Sequence, residues 1–183
     1  MNKTLLLRSQ MAVLAVFACA FATATSAQTK KPDSAEQAVL LGQFGDWGAY
    51  KATPGGKKLC FALSKPTSAT TDPPGRPRDP SYAFVSTRPA EKVKNEVSVI
   101  VGYKQKIGIE ATASIGSAHY VMYTQEEGAW VKNAGEEAQM VEAMRKGADL
   151  VINSVSLRDT KTTDTYSLKG LAQALEKVAE ECK

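Results

Sequence analysis

Two cysteines, Cys60 and Cys182, constrain this chain of 183 residues more than any other feature, because the second stands one residue from the end. Chain termini fray, and a thiol placed there for chemistry would be poorly held. At helical spacing Leu168, Leu171, Leu175, Val178 and Cys182 form one stripe, with Lys169, Gln173, Glu176, Lys177, Glu180 and Glu181 elsewhere. The last cysteine therefore points inward with the leucines of a terminal helix. Whether it meets another sulfur depends on the compartment.

Residues 1–27 carry Lys3 and Arg8 without an acid, then an apolar run from Met11 to Ala22, then small residues up to Ala27. That is the layout of a secretory signal peptide, with cleavage expected after Ala27. Two alternatives stand beside it: a retained anchor, and lipidation at Cys19, for which Phe17 fits poorly and the apolar run continues too far. No later stretch approaches the roughly 20 apolar residues of a membrane-spanning helix, so no transmembrane segment is expected after cleavage. Removing 27 of the 183 residues leaves 156, with Cys60 and Cys182 in a periplasmic or secreted, oxidising setting. Two cysteines allow one pairing. Closing so long a loop would restrict the unfolded chain by about 4–5 kcal/mol in the loop-entropy model. No CxxC and no His/Cys cluster supports a redox or metal role instead.

The remaining length suits one domain with a real core. Charge excludes more than it suggests. The chain has 23 basic and 19 acidic side chains, and the signal segment holds two of the basic ones. That near balance gives no reason to expect a nucleic-acid partner.

Residues 28–40 are polar and read as a flexible leader, with a single domain over 41–183. Phe44 and Trp47 stand among glycines, Pro54, Gly55 and Gly56 mark a turn, and Leu59, Phe61 and Leu63 alternate with Cys60, Ala62 and Ser64. This reads as a hairpin whose second face is small enough for a helix to approach over Cys60 and Ala62. Residues 65–80 hold five prolines and read as a long loop. Short β-branched and aromatic runs follow around 81–89, 95–103, 109–117, 118–125 and 128–133, with a plain period of two at Val97, Val99, Val101 and Tyr103. Asn133 can cap a short helix with Glu136 at its third position, Met140, Val141 and Met144 give it an apolar patch, and Gly147 stops it. Strands return around 148–157 and 163–168. Eight or nine strands and two helices are expected: an all-β, immunoglobulin-like antiparallel sandwich with a short helix and a C-terminal helix.

Residues suited to catalysis are scarce. His119 is the one histidine and lacks the spacing of a zinc site. No serine sits in a G-x-S-x-G elbow, and adjacent acids on a helix do not face one another. The glycines around Trp47 lack a lysine and the strand context of a phosphate loop. No enzyme activity, cofactor or metal is expected. Candidate binding residues are Trp47, either a ligand platform or a buried core tryptophan, Arg76 and Arg78 in the Pro-rich loop, either a grip for an acidic partner or part of a solvated loop, and Lys104 and Lys106. The last two belong to a basic series with Lys51, Lys57, Lys58, Arg88, Lys92 and Lys94. The series either forms one surface or is dispersed.

The segments FGDWGAY (44–50), KLCFALSKP (58–66), YAFVSTRPAEKVKNEVSVIVGY (82–103), MYTQEEGAWVKNAGEEAQMVEAMRKGADLVI (122–152) and YSLKGLAQALEKVAEEC (166–182) resemble the invasion-associated locus B family of exported alphaproteobacterial proteins. The most specific pieces are Gly45-Asp46-Trp47, the segment 60–64, and Ser167 to Leu171. The resemblance implies a small extracytoplasmic β-sandwich and supplies no catalytic motif. Many relatives carry another cysteine soon after Gly-Asp-Trp; Tyr50 and Lys51 stand there in this chain, so a second bridge at that place is absent.

The expectation is an exported, non-enzymatic interaction domain of the bacterial envelope whose partner is an unidentified envelope or host macromolecule, host-cell invasion being a special case. The alternative is a small-molecule or lipid carrier with a pocket between sheet and helix, lined by Trp47, Tyr103, Tyr120 and Met122.

Overall fold

The computed structural model describes residues 37–183. The expected signal peptide, Cys19 and residues 28–36 of the expected leader lie outside them. Eleven strands and two helices follow in chain order: β1 (Val39–Phe44), β2 (Trp47–Ala52), β3 (Leu59–Ser64), β4 (Ser68–Asp72), β5 (Tyr82–Arg88), β6 (Val93–Ile100), β7 (Ala111–Ile115), β8 (Ala118–Gln125), β9 (Gly128–Val131), α1 (Ala134–Lys146), β10 (Asp149–Val155), β11 (Lys161–Ser167) and α2 (Leu171–Glu181). All pairings are antiparallel, in the order β1-β2-β3-β5-β6-β9-β8-β7-β10-β11-β4. The result is the expected all-β sandwich with a short helix and a C-terminal helix, folded from one continuous ladder.

Two strands exceed the expectation. Val39 and Leu40 begin β1, two residues inside the expected leader 28–40. β4 sits inside the Pro-rich stretch, where Ser68 to Asp72 pair with Thr165 to Lys161. Prolines at 66 and 73 bracket it, and its position at the sheet edge needs only one side of its backbone paired. Flanking prolines therefore set the limits of β4 without forbidding it.

The alternation in β3 decides which face is covered. Cys60, Ala62 and Ser64 are buried, whereas Leu59, Phe61 and Leu63 are half-buried on the opposite face. The small face is inside because α2 lies over β1, β2 and β3 and buries Leu171, Ala174, Leu175 and Val178. The Cys60–Cys182 disulfide joins β3 to the residue after α2, with Cα atoms 6.0 Å apart. On the outer face the larger side chains cover one another: the Tyr50 and Phe61 rings stack with centroids 5.3 Å apart, and Phe84 lies 5.9 Å from Phe61. A second stack joins Tyr123 and Trp130 at 5.5 Å.

α1 has the expected cap. The Asn133 side chain accepts from the Glu136 N–H at 2.9 Å, and Met140, Val141 and Met144 are buried. The entry to α2 is held differently. Gly170 caps it at φ +93°, and a Cβ there would stand 1.9 Å from the Phe44 carbonyl oxygen, so only glycine fits. The same junction receives the Asp46 N–H, which donates to the Lys169 carbonyl at 3.0 Å, and the Trp47 Nε1–H, which donates to the Ser167 carbonyl at 2.8 Å. Ser64 Oγ–H completes it by donating to the Asp46 carbonyl at 2.7 Å.

Candidate functional site

That junction accounts for Trp47. It is fully buried, and its indole N–H is used by a backbone carbonyl, so it is a core residue and no ligand platform. Met122 is likewise fully buried, and Tyr120 is half-buried against the core. Of the four residues expected to line a pocket between sheet and helix, only Tyr103 borders a cavity of note, and that cavity has no residue of either helix in its lining.

The cavity is an open cleft of about 570 Å³ where the Pro-rich loop, the residues after β6 and the β10–β11 turn meet. Its first wall is the loop after β4. The Asp79 N–H donates to the Gly102 carbonyl at 3.0 Å, and Gly102 is at φ +74°. A Cβ on Gly102 would lie 2.0 Å from the Asp79 carbonyl oxygen, so the close approach requires glycine.

Arg78 forms the floor. Its guanidinium makes a bidentate pair with the Asp164 carboxylate on β11, one contact being Nη1–H to Oδ2 at 2.8 Å, and it also donates to the Val101 carbonyl at 3.3 Å. The Asp164 side chain is 1 % exposed and that of Arg78 is 11 % exposed. The hydrogen bond to Asp164 holds the Arg78 guanidinium above its usual pKa against the opposing effect of burial. Beside it the Tyr103 hydroxyl is hydrogen-bonded to Thr162 Oγ1, and the Tyr103 ring centre is 6.0 Å from the guanidinium carbon. Below them Ser81 and Tyr166 are buried. Burial pushes the Tyr166 phenol up; Ser81 lies close enough to oppose that shift, but neither hydroxyl has a partner at hydrogen-bond geometry.

The opposite wall is the β10–β11 turn. Ser156 Oγ accepts from the N–H groups of Arg158 and Thr160 at 3.2 and 3.1 Å, which fixes the turn. The Leu157 N–H donates to the Lys104 carbonyl at 3.0 Å, bringing Lys104 and Arg158 onto adjacent backbone. Arg76 stands across the cleft on the Pro-rich loop. Three cations on three chain segments thus border one opening. Asp79 is the one acid in the lining, and it takes part in none of the ion pairs among the described residues; Asp164, which holds Arg78, lies outside the lining.

The remaining basic residues do not join this group. Lys51 and Lys58 hold Glu181 at 3.2 and 3.4 Å, and Lys58 also donates to the Glu181 carbonyl. Arg88 pairs with Glu91 and Glu96, and Lys106 pairs with Asp159 on the β10–β11 turn. Lys104 pairs with Glu126 at 3.1 Å, but both side chains are about two-thirds exposed, where such pairs hold each other weakly. Among the described residues Arg76 and Arg158 are the arginines without an ion-pair partner; Lys57, Lys65, Lys92, Lys94, Lys161, Lys169 and Lys183 also lack one, but none of them lines the cleft.

The structure therefore gathers Arg76, Arg78 and Lys104 of the expected binding residues, and leaves Trp47 in the core and Lys106 on a neighbouring ion pair. Arg158 was missed: the one signal available was a charged turn between two strands. His119 is exposed and shares a hydrogen bond with Ser114 at 2.9 Å. No group of three His, Cys, Asp or Glu that could hold a metal occurs among the described residues, and none of their helices is long and apolar enough to cross a membrane.

Comparison with protein families matches residues 51–179 to the model of the invasion associated locus B protein. The match runs from the end of β2 through most of α2, and so takes in the cleft, α1 and most of α2. No curated protein and no solved structure matches the chain.

Proposed function

The chain belongs to the invasion associated locus B family, and on that premise we propose that it is an exported, non-enzymatic binding domain of the bacterial envelope that meets a partner macromolecule through the cleft. The family and the disulfide support export, because a bridge of this kind persists in oxidising compartments. Arg76 and Arg158 carry the reading. Of the five arginines among the described residues, Arg78, Arg88 and Arg145 are matched with acids, whereas Arg76 and Arg158 flank the cleft without an ion-pair partner. Unneutralised charge around a concavity attracts an anionic partner and orients it. Host-cell contact is the special case that the family's name suggests.

Cell fractionation tests this. The full chain is expressed with residues 1–27 in place, and envelope retention is compared for the wild type, R76E/R158E, and K94E/K146E, whose changes lie outside the cleft. Loss of retention in the first variant alone, weakening with added salt, is expected. Equal retention of all three would overturn the cleft as the contact surface.

A small-molecule ligand is the second reading, favoured by the cleft volume, which falls in the roughly 300–1,000 Å³ typical of ligand sites. An added mass in the native spectrum of the purified domain, lost in R76E/R158E, would select it.

A further inference from the structure

We infer that the group the cleft accepts is a tetrahedral oxyanion, a phosphoryl or sulfuryl group carried by the partner. The inference rests on the cleft being the contact surface, and it adds the chemistry. The Arg76, Lys104 and Arg158 side chains approach from three segments: the Pro-rich loop, the residues after β6 and the β10–β11 turn. A planar carboxylate presents two oxygens in one plane and is satisfied by a single guanidinium, as Asp164 is by Arg78. A phosphoryl or sulfuryl group presents three terminal oxygens in three directions, and can use cations on three sides of an opening.

Arg78 is not one of the three. Both of its outer nitrogens are committed to Asp164, so it forms a neutral floor and keeps the cations at the rim. The half-buried Thr71 in the lining adds a hydroxyl donor. Asp79 acts in the other direction. Its exposed carboxylate repels an anion, so its removal should tighten binding, an effect that a purely structural role for the cleft would not produce.

The test uses the oxidised chain without residues 1–27 and follows backbone amide signals while inorganic phosphate is added, with acetate as the planar control. Phosphate should shift residues 71–79, 102–104 and 156–160, and acetate should bind more weakly. Replacement R76A/R158A should weaken phosphate binding about tenfold or more, and D79N should strengthen it. Both sets of changes are at exposed positions, so folding is retained. Acetate binding as tightly as phosphate, shifts elsewhere on the domain, or an unchanged affinity in R76A/R158A would each overturn the inference. Co-sedimentation with phosphatidic acid vesicles distinguishes the sources: binding identifies a lipid headgroup, and phosphate binding without co-sedimentation identifies a soluble or glycan-borne group. If phosphate fails while R76E/R158E still loses envelope retention, the oxyanion is wrong and the cleft stands; if retention is also unaffected, the cleft itself is wrong.

Discussion

The indole N–H of Trp47, at the start of β2, donates to the backbone carbonyl of Ser167, at the end of β11, across 120 residues of chain. Around this bond the Asp46 N–H meets the Lys169 carbonyl, Ser64 meets the Asp46 carbonyl, and Gly170 packs on Phe44. Replacement of Trp47 by Ala should therefore cost about 3–5 kcal/mol. Trp47→Phe should cost less, because it keeps an aromatic ring and leaves a smaller cavity, although the Ser167 carbonyl loses its donor. Urea denaturation measures both. Neither variant, once folded, should alter binding at the cleft, since Trp47 does not line it.

The same junction shows what the sequence made legible. Its three most specific pieces, Gly45-Asp46-Trp47, the segment 60–64, and Ser167 to Leu171, come from distant parts of the chain and converge where α2 joins the sheet. They are distinctive because they hold the fold, and Trp47, fully buried and bonded to the Ser167 carbonyl, belongs to that junction and not to a binding face. The alternating segments, the Asn133 cap and the cysteine stripe were readable because each follows from local spacing. β4 was not, because its partner β11 lies about 90 residues away in sequence and its own residues are mostly exposed. Arg158 was not, because what distinguishes it from other turn arginines is the loop across the cleft.

Replacing both cysteines, C60A/C182A, should lower stability by about 2–5 kcal/mol. Hydrogen exchange localises the effect: amides of residues 171–181 should exchange much faster, while β6 and β10 keep their protection. The ion pairs of Glu181 with Lys51 and Lys58 are exposed and cannot replace the covalent link. Unchanged exchange in α2 would contradict the assignment of the bridge as its anchor.

Arg78→Ala leaves the Asp164 carboxylate buried without its partner, and should cost about 3–5 kcal/mol. Arg78→Lys should recover part of this, since an ammonium cannot reproduce the bidentate geometry. The double variant R78M/D164L removes both charges and should be closer to the wild type than R78A is. Thermal or urea unfolding of the three decides it; R78A within about 1 kcal/mol of wild type would show that the pair does not hold the floor.

Two carboxylates give opposite pH signatures. Glu137 Oε1 accepts from the Val97 N–H at 2.7 Å, yet burial is the larger influence and raises its pKa. The folded state thus holds that proton more tightly than the unfolded chain, and Glu137 costs stability above its folded pKa; the cost vanishes below the unfolded value of about 4.3. Glu137→Gln keeps an acceptor oxygen and should be neutral to stabilising at pH 7, with the difference from wild type closing in acid. Glu181 is lowered, first by its hydrogen bond to Lys51. Its contribution is present above about pH 4.3 and is lost as pH falls through the depressed folded value, so E181Q should destabilise slightly at pH 7 and not at the lowest pH. Unfolding midpoints across pH 3–7 check both signs.

The central claim is that the cleft, and no other face, meets the partner. A photo-crosslinking amino acid placed singly at positions 77 and 157, exposed in the cleft lining beside Arg76 and Arg158, and at 94 and 146 outside it, irradiated in living cells, tests it most directly. The account predicts a discrete adduct of one mass from 77 and 157 and none from 94 and 146. Adducts from 94 or 146 alone, or a single pattern common to all four positions, would contradict it.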